Sequence, residues 1–383
     1  MVVALLSLIS LLAFYSSSER VAHMKYDGDT TRALIGHAVT LFIGLAALYV
    51  VYLGNYKFYG RVFAYALWVA LILLVVTMIA GRDINGASRS VDVFGVSFQT
   101  SDLAKVTLIG YLARKITLKQ DEPIDFQNAF IVYFLPIMLT VGLIFTENLS
   151  TAFILFVVCM YLVFMGKVKM KYMAMFVGIM VVCLGFYMII KSFDDDAGRT
   201  TTWLSRFENF FGDEPGMDGT ETEKFKAMNN SQDVQAKLAV ASGGIFGKLP
   251  GKRTQRNFLQ HPYSDFIFSI IVEEYGLVGG AFVMILYLIL LYRAGLILLS
   301  IPGSFGGYVS FGLASLIVVQ AFVHIGVAVS VLPITGQPLP FISKGGSSML
   351  FTGIALGIIL SVSKEIEKKK ERKNELEQAQ DNN

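Results

Sequence analysis

Residues Gln235 to Gly280 read QAKLAVASGGIFGKLPGKRTQRNFLQHPYSDFIFSIIVEEYGLVGG, and one boundary inside them sets the architecture. Up to Ser264 the stretch is polar and glycine-punctuated, with five basic residues (Lys237, Lys248, Lys252, Arg253 and Arg256) and no acid. From Asp265 it passes at once into apolar sequence, interrupted by the adjacent Glu273 and Glu274. A solvated segment that feeds directly into an apolar run of helix length is the pattern of a chain entering a membrane. Asp265 itself reads in two ways. Ser264-Asp265 before an apolar run is a helix-start signal, so the carboxylate suits an N-cap. A carboxylate at a membrane surface beside cationic charge also suits general-base work on a phosphate-linked substrate, and the two roles can coexist.

Outward from that boundary the whole chain is apolar. Hydrophobic residues make up 54% and charged residues 16%, against the roughly 25% charged expected of a soluble domain. Cys159 and Cys183 sit inside apolar runs, which excludes a disulfide framework and a thiolate metal site. His23, His37, His261 and His324 have no metal-ligand spacing, which argues against a zinc enzyme. The net charge of +3 says little about partners, since in a membrane protein the distribution of sign across loops is what matters; no nucleic-acid partner is expected.

Ten apolar segments approach the roughly 20 residues that a spanning helix needs. They fall near 1–18, 34–54, 61–80, 102–116, 128–146, 149–166, 172–191, 267–292, 306–332 and 347–363. The expected fold is therefore an all-α polytopic membrane protein of about ten transmembrane helices. One transmembrane domain covers 1–363, a large extracytoplasmic loop at 192–266 precedes the eighth span, and a charged helical tail covers 364–383. The first segment has neither a basic n-region nor a small-residue cleavage site after Tyr15, so it reads as a retained span. With the N-terminus inside, the inner loops and tail hold fifteen Lys and Arg. The short outer loops hold six: Arg20, Lys25, Arg32, Arg82, Arg89 and Lys344. That bias puts both termini in the cytoplasm.

The long loop divides by charge. Residues 194–223 are acid-rich with Gly and Pro and read as a cover; the basic part carries Gly243, Gly244, Gly247 and Gly251, which let backbone approach a ligand or simply make turns. Charges within spans are expensive and usually line a cavity or pair. Asp102 and Lys105, three apart on a helix, suit a structural ion pair. Glu147-Asn148 joins two apolar runs as a re-entrant turn or a plain tight one. ITGQPLPFISKGGSS, from Ile334 to Ser348, cannot be regular helix yet is too apolar for an exposed loop. It should pack down on the bundle, with Ser343, Lys344 and Ser347 as its candidates for ligand contact.

Five ordered segments carry a resemblance: GRDINGASRSVDVFGVSFQTSDLAK (81–105), ENLSTA (147–152), QAKLAVASGGIFGK (235–248), SDFIFSIIVEEYGLVG (264–279) and LPITGQPLPFISKGGSS (332–348). Together they resemble the signatures of the SEDS family, the shape, elongation, division and sporulation proteins, over nearly the whole chain. The resemblance implies ten transmembrane helices and polymerisation of lipid II into peptidoglycan glycan strands. It also implies a class B penicillin-binding protein as partner, other divisome membrane proteins, and a place in the bacterial cytoplasmic membrane. The likeness is greatest to the division-type members, which implies work at the septum; an elongation-type polymerase is the alternative. The family's essential external aspartate falls on Asp265, and its Ser-Glu-Leu-Ala-Lys becomes Ser101 to Lys105 with Asp102 one methylene shorter. The chain departs from the usual pattern at Ser90, Asn148, Gln260 to Tyr263 and Lys344.

On this reading Asp265 is the base. Lys237, Lys248, Arg253, Arg82 and Arg89 hold the leaving diphosphate, aided by a divalent cation, Mg2+ or Mn2+, for which Asp265 is a candidate ligand. Asp102, Lys105, Gln235, Glu274, Ser343, Lys344 and Ser347 complete the expected substrate-binding set. A transporter that flips the same lipid would instead use Asp102, Lys105 and Glu274 as a translocation path. Asp265 discriminates, because it lies at the external mouth where a base is useful. A non-catalytic scaffold would leave Asp265 and the basic run without a task.

Overall fold

Each apolar segment becomes a helix: α1 (Val2–Lys25), α2 (Thr30–Leu53), α3 (Tyr56–Ala80), α4 (Thr100–Leu118), α5 (Phe126–Glu147), α6 (Leu149–Met165), α7 (Met170–Ser192), α9 (Ile267–Ser300), α10 (Phe305–Ala328) and α11 (Gly346–Asp381). A further helix, α8 (Gln232–Gly243), precedes α9. The computed structural model describes residues 1–25, 29–80, 82–84, 87–93, 96–120, 125–192, 232–248 and 265–381. At 18–25, 80, 82–84, 87–93, 96–97, 188–192 and 232–233 it describes the backbone.

Among the described residues seven helices are long and apolar enough to cross a membrane, and the Val2–Ser17 part of α1 and α6 are shorter apolar helices. The chain is a multi-pass membrane protein. The tenth segment, α4, carries Asp102, Lys105, Arg114 and Lys115 and is buried over most of its length. Protein surrounds it on several sides, since it packs on α3, α10 and α6, so its polar residues meet partners rather than hydrocarbon. α5 contains one π-helical turn, Phe130–Phe134.

A short antiparallel meander is added to the expected all-α fold. β1 (Arg82–Ile84), β2 (Ala87–Val93) and β3 (Val96–Phe98) lie in the order β1-β2-β3 between α3 and α4. Arg82 pairs with Ser90 and Val91 with Phe98. The sequence signal for it is Asn85-Gly86 between β1 and β2, a two-residue hairpin dipeptide. Phe98 docks the meander on α11 by an edge contact with Phe351, ring centroids 5.3 Å apart.

Lipid gives helices no hydrophobic reason to associate, so close backbone packing must supply it. The α2–α11 seam does so through Gly44, Gly353 and Gly357. A Cβ on Gly353 would stand 2.2 Å from Gly44 O, and one on Gly357 2.6 Å from Leu48 O. Gly353→Leu is expected to lower the thermal midpoint and yield of the purified protein, by at least the 1–3 kcal/mol or so typical of overpacking, because the obstacle is backbone. Gly178→Leu on α7 is the control, since a Cβ there meets nothing within 4 Å. Equal losses in the two variants would show that the seam is not close-packed.

Candidate functional site

One end of the bundle gathers the start of α4, the α5–α6 corner, the start of α9, the end of α10 and the segment 329–345. Asp265 is half-buried and immediately precedes α9. The N-cap position of α9 falls on Phe266, one residue after Asp265, and the Phe266 side chain makes no cap hydrogen bond. Its Oδ2 lies 4.0 Å from where a Cβ on Gly336 would stand, and it is near enough to His324 for their charges to interact.

Helix α9 is interrupted. Gly276, at φ 70 and ψ −172, breaks it into Ile267–Tyr275 and Leu277–Ser300. The segment after α8 inserts into the gap. The Leu277 N–H donates to Gly244 O at 3.0 Å and the Val278 N–H to Ile245 O at 3.2 Å, while the Lys248 N–H donates to Glu273 O at 3.0 Å. The amides and the carbonyl that a helix break frees are thereby satisfied. The approach needs glycine on both sides. Gly247 has φ 79 and a virtual Cβ 2.1 Å from Glu274 O; the virtual Cβ of Gly276 is 2.1 Å from Ile245 O. The basic, glycine-rich run thus has a structural task before any ligand is considered.

The first half of α9 is buried from Ile267 to Glu274. Ser16 of α1 donates to Glu274 Oε1, and Lys248 Nζ stands 4.0 Å from Glu273 Oε1. Lys248, with about a third of its side chain exposed, thus has Glu273 as a long-range partner. On α8 Gln235 is buried and Lys237 exposed. Arg82 and Arg89 lie in β1 and β2 with their backbone described; Arg253 lies outside the described residues.

The Asp102–Lys105 pair forms as expected, Oδ1 to Nζ 2.8 Å with both side chains buried. Ser347 joins it by donating to Asp102 Oδ2 at 3.0 Å. Three predicted residues from opposite ends of the chain thus meet at the mouth of α4. At the α5–α6 corner Asn148 is at once the C-cap of α5 and the N-cap of α6, its Oδ1 accepting from the Ser150 and Thr151 amides. The junction is a one-residue turn rather than a re-entrant loop, and Glu147 is buried beside it.

The non-helical part of the predicted segment, 334–345, packs down as expected, with 346–348 opening α11, and several of its carbonyls are claimed. Gln320 Nε2 donates to Pro338 O, Tyr287 OH to Pro340 O and Ser10 Oγ to Ile342 O. His324 Nδ1 lies 2.8 Å from Gln337 O, and since a carbonyl only accepts, Nδ1 carries the proton. Gln337 Nε2 in turn donates to Thr151 Oγ1 at 2.6 Å. Ser343 accepts from the Leu339 amide, a structural use. Lys344 sits over the Phe14 ring at 5.2 Å, and Phe14 stacks on His37. Residue-by-residue reading missed Ser10, Thr151, Gln320, His324 and Gln337. The available signal was polarity inside apolar spans, which for His324 was read only as the absence of metal spacing.

Among the described residues no three His, Cys, Asp or Glu side chains converge; Asp265 is a single partly open carboxylate, the kind of ligand that a Mg2+ shared with a substrate diphosphate would take.

The family of FtsW, RodA and SpoVE, described as "Cell cycle protein", matches residues 1–368. The chain is 31% identical to the "Probable peptidoglycan glycosyltransferase FtsW" of Geobacter metallireducens and 29% identical to the "Stage V sporulation protein E" of Bacillus subtilis, each over 94% of both chains. Among solved structures it is similar to the rod shape determining protein RodA of Thermus thermophilus, with a TM-score of 0.66 and 23% identity over 95% of both chains. It is also similar to a chain of a peptidoglycan synthase complex described as coordinating polymerization and crosslinking, with a TM-score of 0.70 and 22% identity over 95% of this chain and 96% of that one.

Proposed function

Because the chain belongs to the FtsW, RodA and SpoVE family of cell-cycle proteins, we propose that it polymerises lipid II into glycan strands, with Asp265 as the base. One observation carries the assignment. Of the carboxylates at this end whose side chains are described, Asp102, Glu147, Glu273 and Glu274 are buried and Asp29 caps α2. Asp265 is the partly open one that is neither buried nor at a helix N-cap position, which for α9 falls on Phe266.

Lipid II carries its sugar on a polyprenyl diphosphate. An acceptor hydroxyl attacks the anomeric carbon, the C–O bond to the diphosphate breaks, and the hydroxyl proton passes to Asp265. Cationic charge must meet the departing lipid diphosphate. Lys237, exposed on α8, and Lys248, just after it, are the proposed contributors whose side chains are described, with Arg82, Arg89 and Arg253 beside them. Asp102, Lys105 and Ser347 hold α4 against α11 and act as positioning residues.

The septum is the proposed place of work, supported by relatives of 30–31% identity that carry the name FtsW; the RodA likeness supports the fold alone. A class B penicillin-binding protein and other divisome membrane proteins are the proposed partners. Purified protein incubated with lipid II should give glycan ladders on a size-resolving gel. Lipid II that crosses a liposome bilayer unpolymerised would replace this reading with the transporter.

The site works only if the Asp265 end faces outward, with both termini cytoplasmic. A topology reporter fused after Gly219 should read external and one fused after Gln380 cytoplasmic, following the fifteen-to-six charge bias. A cytoplasmic signal from the Gly219 fusion overturns the orientation and the site with it.

A further inference from the structure

At the end of the bundle opposite Asp265, the start of α3, the last turn of α4 and the entry to α10 enclose a cavity of about 320 Å³. Among the described residues its wall holds three cations, Lys57, Arg61 and Arg114, and no acidic residue. Arg114 is fixed in place, donating through Nη1 to Gly60 O. The floor is aromatic: Tyr56 and Phe305 stack with ring centroids 6.4 Å apart. Beside the opening, Phe58 and Leu118 present bare apolar surface, 58% and 60% exposed.

We infer that this cavity binds a phosphate-bearing anion, with the phosphate held by Lys57, Arg61 and Arg114. Three cations around one concavity, with no carboxylate among the described residues of its wall, suit an anion, and a guanidinium held by a carbonyl is pre-organised to present its remaining N–H groups to phosphate oxygens. The apolar strip of Phe58 and Leu118 beside the cations matches an acyl chain leaving a headgroup, which makes an anionic phospholipid one source and free phosphate the other. The site is separated from Asp265 by the length of the bundle, so its failure leaves the polymerase assignment untouched.

The test uses the full chain in nanodiscs of phosphatidylcholine doped with phosphatidylglycerol, read by native mass spectrometry. The wild type should retain one phosphatidylglycerol in preference to phosphatidylcholine. Each surface cation is worth roughly fivefold in anionic-lipid affinity, so Lys57→Gln with Arg61→Gln should weaken retention by about 25-fold. Lys169→Gln with Lys171→Gln removes two exposed cations from the α6–α7 turn at the same end but outside the cavity, and should change little. Arg61→Gln alone carries the test if the double variant does not fold. Inorganic phosphate is then titrated in: displacement of the lipid assigns the site to a soluble phosphate as well, and persistence assigns it to the lipid. Equal losses in the two double variants, or no preference of the wild type for phosphatidylglycerol, overturn the inference, because general surface charge would then explain the binding.

Discussion

Asp265→Asn is expected to abolish glycan-strand formation while the protein still folds and still binds lipid II. The substitution keeps the shape of the side chain and removes its capacity to take a proton. Asn can still accept a hydrogen bond near the helix start, and the N-cap position itself falls on Phe266. A positioned base contributes about 10²- to 10⁴-fold in rate, enough to empty the ladder in an ordinary polymerisation assay. Folding is followed by thermal unfolding and lipid II binding by co-purification. Ladders at close to the parent rate would remove Asp265 from the base role. Glu273 and Glu274 are then poor substitutes, being fully buried with Glu274 accepting from Ser16. Loss of lipid II binding along with activity would make Asp265 a substrate ligand instead.

Lys105→Ala is expected to lower stability as well as activity. The Lys105–Asp102 pair is 2.8 Å long with both partners almost out of solvent. Removing one member of a buried pair costs about 3 to 5 kcal/mol, because the other is left as an uncompensated charge. Ser347 still donates to Asp102 at 3.0 Å, which puts the expected loss at the low end of that range. Replacing both charges, Asp102→Asn with Lys105→Met, should cost less than Lys105→Ala alone, since no lone charge remains. Thermal midpoints of the two variants in one detergent decide this. Full stability of Lys105→Ala with lost polymerisation would show that Lys105 touches substrate.

What could be read without coordinates follows from which constraints are local. Span positions were legible because hydrocarbon imposes a length and a composition on every helix that meets it, and even α4 was found despite its four charges. The Asp102–Lys105 pair was legible because a spacing of three fixes a shared helix face. Ser347 as their third partner was not, since nothing in a separation of 245 positions announces that contact. The break in α9 was equally hidden. Gly276 lies in an apolar run that reads as continuous helix, and only the inserted Gly244–Lys248 backbone explains it. The meander was missed for a different reason: a search for long apolar runs passes over three short strands.

The interruption at Gly276 also bears on how the chain is made. Leu277–Ser300 amounts to roughly 24 helical residues, about 36 Å at 1.5 Å each, which spans the hydrocarbon core unaided. The insertion machinery can therefore commit this segment on its apolar content alone, without lodging Glu273 and Glu274 in lipid. The first half is held instead by protein contacts, its Glu273 carbonyl accepting from the Lys248 amide, while the carbonyls of Gly244 and Ile245 accept from the Leu277 and Val278 amides that open the second half. Sequence change on the two sides of Gly276 thus answers to different pressures: partition into the bilayer on one side, the geometry of the site on the other.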